Sequence, residues 1–117
     1  MKINSGSTLA LGLAMVWGAC AQPLAHAQQT EEAVRKLVLN QCFVCHGLQG
    51  ESASDKYPRL AGLPAQYIER QLQAFQSGQR SSETMAEVVR GMSAAEMQAL
   101  GSYFESQGRA AVTTALE

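Results

Sequence analysis

In the stretch NQCFVCHG, residues 40–47, two cysteines stand three positions apart and a histidine follows the second directly. These residue types at this spacing suit three chemistries. Two thiols can form a redox-active pair, thiolates and an imidazole can share a zinc ion, and Cys-x-x-Cys-His is the pattern of covalent haem attachment. A structural zinc site takes four ligands. A redox dithiol needs a helix N-terminus, usually after a strand, to lower a thiol pKa. An inert disulfide is a further use of the pair, although so short a loop adds little stability.

The choice depends on which other ligands the chain keeps. Lys2 is followed by an apolar run of 13 residues, Leu9 to Ala21, and then by Ala25-His26-Ala27, a small-x-small pattern. This is the layout of a secretory signal peptide over residues 1–27, cleaved after Ala27, and it predicts export to the periplasm. The run is shorter than the ~20 residues of a bilayer span. A lipid anchor at Cys20 would want a small aliphatic residue where Trp17 stands. Removal of residues 1–27 leaves a domain of residues 28–117 with 8 basic and 10 acidic residues. It keeps two cysteines, Cys42 and Cys45, one histidine, His46, and three methionines, Met85, Met92 and Met97. Two cysteines and a histidine fall short of four zinc ligands. With no basic excess and no Lys/Arg run, nucleic acid is not a partner.

The elements around the motif are helical. Thr30 reads as an N-cap ahead of Glu31 and Glu32, and Val34, Leu37 and Val38 keep helical spacing into the cysteines. Residues 47–62 read as a long loop, rich in Gly and Ser, with Pro58 inside it. A second helix is predicted from Pro64, at its first position, to a stop at Gly78, with Ile68, Leu72 and Phe75 on one face. A third begins at the capping box Ser93-Ala94-Ala95-Glu96, flanked by Met92 and Met97 as a hydrophobic staple, and ends at Gly108. No strand or internal repeat is legible. The fold class is therefore all-α, three main helices and a long loop. A thiol pair that follows a helix and precedes a loop suits covalent haem rather than a dithiol. Aromatic residues are few, 6% of the chain, so a porphyrin would supply much of the apolar interior.

From about Glu31 to Gln107 the chain resembles class I cytochrome c, in particular the short bacterial monohaem forms and single halves of dihaem periplasmic cytochromes. The resemblance rests on CFVCHG, YPRLAG, YIERQLQAFQSGQR and MAEVVRGMSAAEMQALGSYF. It implies one haem c held by thioethers from Cys42 and Cys45, with His46 as an axial iron ligand. It also implies that the backbone carbonyl of Pro58, twelve residues on, accepts a hydrogen bond from the outer nitrogen of His46. For the second axial ligand, Met92 and Met97 already have roles in the staple, whereas Met85 follows a polar loop with no apolar face assigned to it. Met85 is thus the expected ligand, with Met92 the other candidate. The resembled family carries its methionine in the same stretch. Leu60, Ile68, Leu72 and Phe75 are expected against the porphyrin or in helix–helix core. Gly101 is expected to let the last helix cross the first. Tyr57, Arg59 and Arg80 are candidate propionate contacts.

The implied function is transfer of single electrons between redox protein partners by transient docking, as a monomer and not as an enzyme. One alternative is a haem c subunit of a periplasmic dehydrogenase or oxidase complex. Another is a ligand-binding or peroxidatic protein with a displaceable sixth ligand.

Overall fold

The computed structural model describes residues 23–115. The expected signal segment lies outside the described residues as far as residue 22. All regular elements described are helical: α1 (Pro23–Leu37), a π-helical turn (Val38–Cys42), α2 (Phe43–His46), α3 (Ala65–Gln76), α4 (Glu83–Val89) and α5 (Ala94–Ala115).

The first helix starts earlier than the sequence suggests. Thr30 lies inside α1 rather than capping it. Pro23 has the preset φ of a first helical position, and the Ala and Gln residues after it are good helix formers. Helical backbone then runs without a break to His46, through a wider turn in which the Phe43 amide donates to Val38 O. Such π turns inside helices recur at functional sites. Here the turn carries Val38 and Cys42, both buried.

The loop after His46 is pinned at many points. Gly50 O accepts from Leu60 N at 2.8 Å and Ala61 N at 3.2 Å, which folds the loop back on itself. Gly50 itself has φ +77°, and a Cβ there would stand 2.7 Å from Ala61 N and 2.9 Å from the Phe104 ring. Ser52 Oγ donates to Cys45 O at 3.1 Å, Tyr103 Oη donates to Leu48 O at 2.8 Å, and Arg59 pairs with Glu51 at 2.8 Å.

Pro64 sits one position before α3, as its N-cap, with ψ 134°. Its ring offers no side-chain acceptor, and the first free amide, Ala65 N, donates instead to Glu105 Oε2 of α5 at 2.5 Å. α4 is a helix in a stretch to which the sequence reading assigned no element. Ser82 caps it, its hydroxyl accepting from Met85 N at 3.2 Å, and Glu83 follows in the first turn. The capping box of α5 forms as read: Ser93 N donates to Glu96 Oε2 at 2.8 Å and Glu96 N to Ser93 Oγ at 3.2 Å. Met92 and Met97, the staple pair, are both buried.

Two expectations about glycines change. α5 does not stop at Gly108 but continues to Ala115. The helix formers Arg109, Ala110 and Ala111 carry it on. Gly101 does give a close approach, but to α3 rather than α1: a Cβ at Gly101 would overlap Ala65 O. The core lies between α3, α4, α5 and the π turn, built on Val38, Ile68, Phe75, Val89, Leu100 and Phe104 with the staple methionines. Burying each such side chain contributes ~1.5–3 kcal/mol.

Candidate functional site

A cavity of about 430 Å³ opens between α2, the loop, α3 and α4. Cofactor sites usually measure ~300–1,000 Å³ and are mainly apolar with a few placed polar groups. Cys42, Cys45, His46, Pro58 and Met85 all line it, so residues 43 positions apart in the chain share one space.

Each arrives there by a local cause. The π turn and α2 present Cys42, Cys45 and His46 within five residues. Both cysteines are free thiols, Cys42 buried and Cys45 half-buried. Burial pushes the Cys42 thiol up to about 11. That is the opposite of the lowered pKa a redox dithiol uses. His46 is 9% exposed, and its Nδ1 donates to Pro58 O at 2.8 Å. A carbonyl can only accept, so the proton is on Nδ1 and the lone pair on Nε2. This is the tautomer that a metal-binding imidazole uses, with its outer nitrogen held by an acceptor. The Tyr57 ring packs edge-on to His46, centroids 6.2 Å apart.

The cavity lining also carries methionine sulfur. Met85, on α4, is half-buried and packs against the core from outside it. Met92 also lines the cavity, so its place in the staple does not remove it from the site. Leu60, Ile68, Leu72 and Phe75 stand on the wall as well, in the cavity and in the core at once. Leu100 and Phe104 of α5 close the back. Val88 joins them from α4, a helix not read from the sequence. Its signal was there in Ser82, Glu83 and the spacing of Met85, Val88 and Val89.

Charge at the site is one-sided. Among the described residues, the charged side chains on the wall are Lys56 and Arg80, both basic. Arg80 is held in place: its guanidinium lies 4.6 Å from the Phe75 ring centroid, and Nη1 donates to Gln71 Oε1 at 2.6 Å. Tyr57 is at the cavity too. Arg59 is not; it faces a separate open depression beside Gly62 and Gly108.

The donor set and the apolar walls fit a porphyrin attached through two thiols. The sequence profile of cytochrome c matches residues 31–113. The chain belongs to the cytochrome c family. Cytochromes c of this family carry covalently bound haem c and act as electron carriers rather than enzymes.

Among curated relatives, a thiosulfate dehydrogenase electron acceptor of Thiomonas intermedia is 42% identical over 64 residues, 54% of this chain and 30% of the relative. Cytochrome c-554(548) of Halomonas halodenitrificans is 32% identical over 69 residues, 56% of this chain and 83% of the relative. Cytochrome c4 of Pseudomonas aeruginosa is 30% identical over 66 residues, 56% of this chain and 33% of the relative. The chain thus matches about a third of the longer relatives, in keeping with its likeness to one half of a dihaem cytochrome. No helix among the described residues is long and apolar enough to cross a membrane.

Proposed function

We propose that this cytochrome c is a periplasmic monohaem carrier whose haem is bound through Cys42 and Cys45 and ligated by His46 and Met85. The observation that carries this reading is the His46 Nδ1 to Pro58 O bond of 2.8 Å, on a cavity that Cys42, Cys45 and Met85 also line. A haem held there supplies an iron that takes up and releases one electron.

The chain's own residues do the rest. Cys42 and Cys45 would hold a haem covalently, one thioether each to its vinyl groups. Pro58 O fixes the plane of the His46 ring and strengthens its donation. Met85 would supply the second protein ligand, a thioether, which raises the potential relative to a second imidazole. The apolar side chains of Ile68, Leu72, Phe75 and Leu100 line the cavity and would keep water from a ring held there. Lys56 and Arg80 offer cations to carboxylates at the mouth. With His46 and Met85 both as ligands, the iron would keep no position for a substrate. Residues 1–27 serve as the export signal, and partners dock transiently on a monomer.

The electron donor is proposed to be a dehydrogenase. Two relatives bear the name thiosulfate dehydrogenase electron acceptor, and another, from Chlorobaculum tepidum, is the cytochrome subunit of sulfide dehydrogenase. The last name favours a second reading, a permanent haem subunit of such an enzyme. Purification from the native host separates the two: a carrier elutes alone, a subunit at fixed stoichiometry with a larger chain.

Ligation is tested by two variants. The ferric charge-transfer absorption of a methionine–iron bond is expected to vanish in Met85→Ala and persist in Met92→Ala. The reverse pattern would transfer the role to Met92.

A further inference from the structure

The turn that joins α4 to α5 is held by a side chain from α3. Gln76, the last residue of α3, donates from Nε2 to Val89 O at 2.8 Å and to Met92 O at 2.9 Å. Both partners are carbonyls, so the amide nitrogen faces them and both its hydrogens are engaged. The turn's own backbone contributes a longer bond, Met92 N to Val89 O at 3.1 Å. Val89 ends α4, and the last carbonyls of a helix have no partner within it.

α4 has seven residues, well below the ~12–15 at which an isolated helix becomes even marginal. Its placement therefore depends on what grips it. Ser82 holds its start and Gln76 its finish, and Met85 lies between them. Gln76 is itself exposed, so removing it opens no large void in the core.

We propose that Gln76 is a positioning residue for the axial methionine. By clamping the α4–α5 turn to α3, it sets the fraction of time the segment bearing Met85 spends swung away from the iron. This inference rests on the assignment of Met85 as ligand. An external ligand binds only to that open fraction, so its apparent dissociation constant reports the clamp directly. Loss of two neutral hydrogen bonds of ordinary net strength raises the open fraction by about tenfold.

The test titrates the full-length, haem-loaded ferric protein with imidazole and follows the methionine–iron charge-transfer absorption. Gln76→Ala is expected to lower the imidazole Kd by about tenfold. The isosteric Gln76→Glu, which has no donor when ionised, gives the same comparison if the alanine variant takes up no haem. Gln76→Lys keeps donors of similar reach at a helix C-terminus that favours cations, and is expected to restore most of the parent Kd. Tyr103→Phe deletes a bond of equal length to Leu48 O, on the loop after His46, and controls for general loss of stability. It is expected to leave the Kd unchanged. The proposal is overturned if removal of the Gln76 donors leaves the Kd at the parent value, or if Tyr103→Phe lowers it equally. A charge-transfer band that survives Met85→Ala overturns the ligand assignment, and the proposal with it, by a separate readout.

Discussion

At the residue scale the site depends on which atom of each group is left available. His46 commits Nδ1 to Pro58 O, and under the proposed ligation this leaves Nε2 as the nitrogen that would coordinate. The spacing of Cys42 and Cys45 was legible at once, because three residues on helical backbone put both sulfurs toward one wall. The Pro58 bond was legible only through family likeness, since twelve residues of loop have no periodicity from which to derive a contact. Each thiol is expected to contribute one covalent bond to the haem. After denaturation and extraction, the single variants Cys42→Ala and Cys45→Ala should each retain haem through one thioether, more weakly in yield. The double variant should retain none on a denaturing gel stained for haem. Full retention in the double variant would refute the attachment.

At the element scale α4 is the part that sequence reading missed. It is short, and its apolar residues face a cavity as well as the core, so no single apolar face stood out. Its cap was nonetheless written in the sequence. Ser82 accepts the Met85 amide and satisfies one of the four donors a helix start leaves open. Ser82→Ala is expected to lower stability by ~1 kcal/mol, measured as a shift of the denaturant midpoint of the haem-loaded protein. No shift would mean that tertiary contacts alone hold α4. The opposite case is α5, whose capping box was read correctly while its end was not. Gly108 looked like a stop, but it is a packing residue: a Cβ there would overlap Gly62. Glycine marks a helix end or a close approach with the same letter, and only the neighbour distinguishes them.

At the scale of the whole molecule, α3 and α5 form the frame that the loop and α4 hang from. Their closest crossing is at Gly101, and beside it the Glu105 carboxylate caps α3 from another helix. Glu105 is held below the ordinary glutamate range by the Ala65 amide, then by Arg109, whose Nη1 lies 2.9 Å from its Oε1. A carboxyl with a lower pKa folded than unfolded adds stability that is complete above the unfolded value and fades as pH falls through the folded one. The Tm of the parent should therefore exceed that of Glu105→Gln at pH 7. The gap should narrow on acidification below the ordinary glutamate value of about 4.3. A gap that stays constant from neutral pH to pH 3 would show that the charge plays no part.

The sequence by itself determined the all-α class, the capping box of α5 and the chemistry of one short motif. Caps, helical spacing and Cys-x-x-Cys-His act over three or four residues, where side-chain identity and backbone geometry are enough. Tertiary structure alone decided which distant residues share a cavity with that motif. It brought Met85 and Met92 to the same wall, turned Gly101 toward α3, and placed Gln76 on the turn beyond α4. These are contacts between distant segments, set by how the helices pack rather than by any residue's own preference.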